Sequence, residues 1–434
     1  MPTTFPSLPN RHSNSPSLFN GRGSGGGSSS LPNKHSNSPS LFNGRGPGGG
    51  SVSLSIIGGG AAGFFLAINA KEMMPELDVT IFEQQKKCLA KVEISGGGRC
   101  NCTNTFAEIS DLKQAYPRGA GLLKRLFKQF NHEDAYRWFE DHGVPLVVQD
   151  DECVFPQAQD SHAIINCFLS EARRLGIHLR LGVKVEHPEA LLDEYDFVAV
   201  TIGGTPRKEG CVPSLFTFNI KDAALNSLMG VVVENAIASI PGTKFRSQGP
   251  LLITHWGMSG PAILKLSSYA ARHLAEADYQ SPLLVNWTGE TNAEVVRMQV
   301  VEAMNGGGQK LIDNVRLFGL QTRLWQYLLS KAQLQGKKCS EVGKKGINRL
   351  ADLLTNDTYA IAGRSHYKDE FVTCGGVSLS DVDKVTLESK HHPNLFYAGE
   401  VLDIDGITGG FNFQAAWTTA YAVACGIAAK INVV

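Results

Sequence analysis

No apolar run in the 434-residue chain approaches the ~20 residues needed to cross a bilayer, so no membrane anchor is expected. An excess of charge of either sign is missing too. Lys and Arg number 41 against 41 Asp and Glu, which speaks against a general nucleic-acid surface. The nine cysteines are odd in number and scattered, which suits free thiols in a reducing, cytoplasmic compartment better than a disulfide framework. Cys100 and Cys102 have neither a second thiol pair nor nearby histidines, so no metal site is expected and the pair reads as small packed side chains. What is present, 42% apolar and 19% charged residues, describes a globular body long enough for two or three domains.

The N-terminus is a separate matter. "LPNRHSNSPSLFNGRGSGGGSSS" (Leu8–Ser30) is followed directly by "LPNKHSNSPSLFNGRGPGGGSVS" (Leu31–Ser53), a tandem duplication with three differences. Two copies rich in Gly, Ser, Asn and Pro cannot bury a core, so residues 1–52 are expected to form a disordered tail. The Leu-Phe pair in each copy leaves a partner-binding role open.

The ordered body opens with "SLSIIGGGAAGFFLAINAKEMMP". Ser53–Ile57 reads as a short strand, and Gly58, Gly60 and Gly63 supply G-x-G-x-x-G. A helix opening on Ala61 and Ala62 then runs to Pro75. A second strand, Asp78–Glu83, ends in an acid 20 residues after Gly63, the spacing at which a carboxylate reaches a ribose hydroxyl. This is the grammar of a dinucleotide site: a tight turn, close backbone approach to a pyrophosphate, and a helix N-terminus turned toward the phosphates.

Shortly afterwards comes "KVEISGGGRCNCTN", Lys91–Asn104. Side-chain-free Gly96, Gly97 and Gly98 let backbone amides close on an anionic or planar ligand, and Arg99 can bind a phosphate or an electron-rich ring edge. Ser95, Asn101 and Asn104 add neutral hydrogen-bonding groups. At the far end, "HPNLFYAGEVLDIDGITGGFNFQAA" again delivers a strand to a glycine turn and a helix start, with Gly399 and Glu400, then Gly409, Gly410, Phe411 and Asn412. "DEYDFVAVTIGG" fits a further strand that reaches the ligand at Thr201 to Gly203. A nicotinamide domain does not need a return from the far C-terminus; FAD is long enough to touch both ends of the chain. Outside the Gly-rich tail, no second complete G-x-G-x-x-G is visible for NAD(P).

Five segments in order, "IIGGGAAG", "KVEISGGGRCNCTN", "ITHWGMSGPAILKLS", "TCGGVSLSDVD" and "NLFYAGEVLDIDGITGGFNFQAA", resemble the bacterial FAD-dependent flavoprotein family that includes aminoacetone-oxidase-like proteins and the bile-acid reductase BaiN. The resemblance runs from about Ser53 to the end. It implies that Lys91, Ser95, Gly97, Gly98, Arg99 and Asn101 touch FAD, and that Glu400 binds the ribityl chain or pyrophosphate. It also implies that the helix beginning near Asn412 faces the flavin C2 carbonyl, where charge collects on reduction. The expected fold is α/β. A Rossmann-like, glutathione-reductase-like FAD-binding domain is split over residues 53–206 and 370–434. The insert at 207–369 is barrel-like and carries a helical subdomain at about 290–360, with Ser259 and Pro261 starting a helix.

Catalytic residues stay unassigned. His255 at a strand end and Thr373-Cys374 before Gly375-Gly376 are the candidates; the histidine that succinate-dehydrogenase-like enzymes carry before such glycines is missing. The expected activity is hydride transfer between a small organic substrate and flavin N5, with NAD(P)H or oxygen as the other redox partner. The alternative is a flavin-binding, redox-responsive module without turnover. Oligomeric state is not legible.

Overall fold

A computed structural model describes residues 51–204, 210–365 and 372–432. The tail expected at 1–52 lies outside them save for its last two residues, as do the expected junctions near 206 and 370.

The first unit is built from β1 (Ser53–Ile57), α1 (Ala61–Met73), β2 (Asp78–Glu83), α2 (Ala90–Gly98), β3 (His178–Leu181) and β4 (Phe197–Val200). All five β1 residues are buried, as a strand covered on both faces requires. The chain then passes through β5 (Phe218–Ile220), β6 (Val232–Ser239), β7 (Arg246–Thr254), β8 (Gly257–Ser259), α3 (Pro261–Tyr269) and β9 (Gln280–Asn286). Three helices follow, α4 (Ala293–Gly307), α5 (Thr322–Lys331) and α6 (Gly343–Asn356), then β10 (Asp357–Arg364). The chain returns through β11 (Leu395–Tyr397) and ends in α7 (Phe411–Ile431).

The Rossmann-like sheet is wholly parallel, in the order β11-β4-β1-β2-β3. β11 pairs with β4, Leu395 opposite Val198 and Tyr397 opposite Val200, so the last strand of the chain sits one strand away from the first. Helix α1 is apolar around most of its circumference and packs along α7, whose own small residues let the two approach. Phe65 and Trp417 meet at 5.1 Å between ring centroids, and Phe65 and Trp138 at 4.6 Å, each such pair contributing about 0.5–1.5 kcal/mol beyond its burial.

The outer end of α1 is latched electrostatically. His142 stacks on Trp138, its Nδ1 lies 2.7 Å from the Trp138 carbonyl, and its Nε2 lies 3.2 Å from Glu72. The hydrogen bond from His142 holds Glu72 below the usual carboxylate range. Burial pushes His142 down, but the bonds to Glu72 and Trp138 outweigh it and leave its pKa above the ordinary value. The Glu72 contribution is therefore complete above about pH 4.3 and fades on acidification. The His142 contribution is complete below about pH 6.5 and fades as pH rises through the raised value. His142→Gln is expected to lower the melting temperature most between about pH 4.5 and 6.5 and least near pH 9. A pH-independent difference would sink the latch. Arg174 already bridges Glu72 and Glu171, so this group, with His142, reads as an ion-pair network.

The six strands β6-β7-β8-β5-β10-β9 form a closed barrel, which removes every free edge. Its core is continuous with that of α4–α6, through Trp287, Trp325, Leu328 and Leu354. β10 was not anticipated, because it follows α6 without a Gly or Pro break. Its alternation is nonetheless that of a half-buried strand, with Asp357, Tyr359 and Ile361 inward and Thr358 and Ala360 outward. Asp357 is buried, and accepts from Trp287 Nε1 (3.0 Å), the Tyr359 hydroxyl (2.5 Å) and Lys331 Nζ. Helix α3 does start at Pro261, but Ser259 is not its N-cap; Gly260 is, at φ +90°. A side chain at 260 would project to 2.8 Å from the Pro250 carbonyl oxygen, so the close approach of the β8–α3 junction to β7 demands glycine there.

Candidate functional site

The first glycine turn is held from below. Gly58 N donates to Phe82 O (2.7 Å), and the buried Thr201 hydroxyl reaches Ile57 O (3.1 Å) and Gly58 O (2.9 Å). Thr201 thus braces the turn with its side chain rather than facing outward. A Cβ on Gly63 would stand 2.1 Å from Gly58 O, so only glycine lets α1 close on β1. Nothing lies within 4 Å of where a Cβ would project from Gly60. The α1 N-terminus has no side-chain cap, leaving first-turn amides beside Ala61 and Ala62 for an external acceptor. Glu83 is fixed at the rim: one carboxylate oxygen accepts from Gly59 N (2.9 Å) and the other from Gln85 N (2.8 Å).

The second glycine segment is less of a loop than its composition suggests. It begins as the helical turn of α2, which buries Val92, and then breaks at Ser95 (ψ 150°), with Gly96 and Gly97 at φ +56° and +68°. Gly97 borders open space, while Gly98 accepts from Ser161 N (2.9 Å). The Ser95 hydroxyl turns back to Val92 O (2.8 Å). Arg99 lies over Phe155 at 4.3 Å and donates to Gly96 O and Gln159, which fixes the segment to its neighbours. Cys100 and Cys102 are fully buried, and burial pushes the Cys100 thiol up to about 12.

Three remote segments converge on Glu400. Lys91 Nζ bonds its Oε2 (3.0 Å), Thr373 N bonds its Oε1 (2.8 Å), and the place where a Gly203 Cβ would lie is 3.8 Å from Oε2. Gly399 (φ +78°) packs against Ala62, with its own N–H held by Thr419 Oγ1 at 2.9 Å. At the head of α7, Asn101 donates to Thr103 O (2.8 Å) and accepts from Gly410 N (3.2 Å) once its amide is oriented to satisfy both. A Cβ on Gly410 would lie 2.2 Å from Thr103 O. Gly409 projects toward Phe411, the Phe411 carbonyl accepts from Tyr116, and Asn412 closes a short loop by bonding Gly406 N and O. α7, like α1, has no side-chain cap. Both glycine turns and the strand end at 201–203 therefore contribute to one cradle with two uncapped helix starts.

Two features of this cradle were not read from the sequence. Ile94 and Ile202 are 42% and 51% exposed beside the glycines, apolar surface that an extended planar ligand would cover. Arg118 pairs with buried Asp405 and reaches Ser268 O (3.0 Å), while Ser214 donates to Asp405 (2.9 Å), stitching the C-terminal return to the insert. An apolar side chain within or beside a glycine-rich segment was the signal that could have flagged the first; the second had no local signal. Among the catalytic candidates, Thr373 and Cys374 lie beside Glu400, with Arg118 and Arg272 near the Cys374 thiol, whose pKa burial raises. His255 is exposed in the β7–β8 turn with its ring edge-on to Trp256 (4.4 Å).

Family models for the HI0933-like Rossmann domain and for the HI0933-like barrel and H2TH domain match residues 52–206 and 212–372. The chain belongs to the HI0933-like family. This is an FAD-binding family of flavoprotein oxidoreductases, and the cradle fits that cofactor through its open glycines, uncapped helix starts and exposed apolar flank. Ribosomal RNA dihydrouridine synthases from Haemophilus influenzae and Escherichia coli are each 26% identical to this chain. The first match covers 86% of this chain and 97% of the relative, the second 85% and 96%. A 3-dehydro-bile acid delta(4,6)-reductase from Clostridium scindens is 24% identical over 85% of this chain and 97% of its own. Among the described residues no helix is long and apolar enough to cross a membrane.

Proposed function

We propose that this protein is an FAD-dependent reductase that saturates a carbon–carbon double bond conjugated to a carbonyl, using NAD(P)H as the electron source. The observation that carries the cofactor half is the convergence of Lys91, Thr373 and Glu400, 309 residues apart at the extremes, on one carboxylate beside two glycine turns. The substrate half rests on shared chemistry among the relatives. A uracil ring and a 3-oxo steroid diene both present an alkene polarised by a carbonyl, the bond type open to hydride addition at its far carbon.

FAD, when bound, supplies hydride chemistry at its ring. The chain supplies position and charge. Uncapped amides of α1, with Gly60, bind the pyrophosphate, and Glu83 accepts from the adenosine ribose. Lys91, Gly97 and Glu400 hold the middle of the cofactor, and Asn101 orients the Gly409-Gly410 turn at the head of α7. The positive end of that helix stabilises negative charge at the ring's polar edge. Thr373, whose N–H binds Glu400, and its neighbour Cys374 are buried behind that carboxylate. The free thiols fit a cytoplasmic setting.

Purified protein should be yellow, bleach within seconds on NADPH or NADH without oxygen, and regain colour when an acceptor with a carbonyl-conjugated alkene is added. Colourless protein unable to take up FAD would defeat the cofactor assignment. A yellow protein that ignores both nucleotides but is bleached by a small amine, and makes hydrogen peroxide in air, would be an oxidase instead.

A further inference from the structure

Helix α7 is built mostly of small and apolar residues, yet it buries Gln414, Thr418 and Thr419 close to its head. A buried polar group costs stability unless it is hydrogen-bonded. Thr419 Oγ1 accepts from Gly399 N and donates to Ala415 O, which accounts for it. Gln414 and Thr418 belong to a longer chain of bonds. Thr103 Oγ1 donates to Gln414 Oε1 (2.6 Å), Gln414 Nε2 donates to Thr418 Oγ1 (3.1 Å), and Thr418 Oγ1 donates to Phe130 O (3.0 Å). Thr103 and Gln414 are 311 positions apart in sequence, and neither they nor Thr418 are more than 1% exposed.

The sense of this chain is fixed from one end. A carbonyl only accepts, so the one hydroxyl hydrogen of Thr418 goes to Phe130 O and its oxygen must accept from Gln414. Gln414 therefore turns its NH2 to Thr418 and its carbonyl to Thr103. Thr103 also leads to the head of the helix, because its carbonyl accepts from Asn101, whose side-chain oxygen accepts from Gly410 N. Gln414 N closes the first turn of α7 on Gly410 O (3.0 Å), so the amides of residues 411–413 precede the helix's own ladder. One stripe of α7 is thus tied along residues 101–104, with Trp417 Nε1 on Cys102 O (2.8 Å) as a further hold.

We infer that Gln414 is a positioning residue: through Thr103 and Thr418 it sets the head of α7 against the Gly97–Asn101 segment, and so sets how readily the bound flavin is reduced. An apolar side chain would fill the same buried space with less desolvation, but it has no direction and would not fix the helix lengthwise. The field of a helix end falls off within about one turn. A small slip of the head along residues 101–104 therefore weakens its hold on negative charge, and the Thr103–Gln414–Thr418 chain is what opposes that slip. This role rests on the placement of the flavin ring at the head of α7 proposed above, and uses neither the electron donor nor the alkene substrate.

The test uses full-length holoprotein, reduced without oxygen by xanthine and xanthine oxidase beside a reference dye of known potential, with a thermal melt of each variant. In Gln414→Leu the equilibrium constant for flavin reduction should fall roughly tenfold, about 30 mV for a two-electron couple, and Thr103→Val should match it. Each single variant also strands a buried partner and should melt earlier. The double variant Thr103→Val/Gln414→Leu strands neither, so its melting temperature should recover while its flavin equilibrium stays shifted. Thr355→Val in α6, buried and bonded to Ala351 O (2.9 Å), is the control: it should melt earlier and keep the wild-type equilibrium. A wild-type equilibrium in both single variants, an equal shift in Thr355→Val, or a shift that recovers with the melting temperature in the double variant would each overturn the role. Should Gln414→Leu fail to fold, Thr103→Val decides by itself. Colourless wild type would instead defeat the flavin placement, so the two failures are separable.

Discussion

Gly63→Val should emerge from expression colourless and much less stable, whereas Gly60→Ala should keep its stability and lose only its hold on FAD. At 63 the added carbon would stand 2.1 Å from the Gly58 carbonyl oxygen and 2.8 Å from Thr201 Oγ1, both fixed by the β1–β4 pairing. Backbone cannot rotate away as a long side chain can, so α1 must lift off the sheet, at a cost at or above the ~1–3 kcal/mol usual for overpacking. Lifting α1 also displaces the helix start that the cofactor pyrophosphate needs. Position 60 is the contrast. Its added methyl meets no protein atom within 4 Å, so folding should be untouched while the methyl intrudes where phosphate would lie. FAD retention after gel filtration, read beside a thermal melt, separates the two. Loss of stability in Gly60→Ala, or a yellow and stable Gly63→Val, would refute the assignment of one glycine to packing and the other to ligand.

Arg118→Met is expected to cost about 3–5 kcal/mol, because it strands the Asp405 carboxylate, 1% exposed, without its partner. At ~2–4 °C per kcal/mol the melting midpoint should fall by about 10 °C. Arg118 serves three parts of the molecule at once: the segment after α2, the insert through Ser268, and the C-terminal return through Asp405, which Ser214 of the insert also grips. The double variant Arg118→Met/Asp405→Leu should recover most of the loss, since replacing both members of a buried pair by apolar groups is often close to neutral. A double variant no better than the single one would mean that the serine contacts, rather than the ion pair, hold the insert in place.

Periodic and glycine-marked elements were legible in the chain. β1, β2, the helix between them and the acid at Glu83 all stand where spacing placed them, because each is specified by neighbours within a few residues. The insert was legible as barrel-like. Its closing strand β10 was not, since a strand that directly continues a helix offers no turn residue to mark the change. Ser259 was misread for a related reason. A serine suits an N-cap, yet Gly260 caps the helix at positive φ, where a side chain would meet the Pro250 carbonyl of a neighbouring strand.

By itself, then, the sequence determined the dinucleotide turn, the glycine-rich second segment, the C-terminal return and the α/β class, all of them local patterns whose physics acts within one turn or one strand. Tertiary structure alone decided which groups meet. It turned Thr201 and Arg99 to bracing neighbouring segments, brought Lys91 and Thr373 to Glu400, and paired Arg118 with Asp405. Contacts between residues hundreds of positions apart depend on how sheets and helices close on one another, and no local spacing encodes that closure.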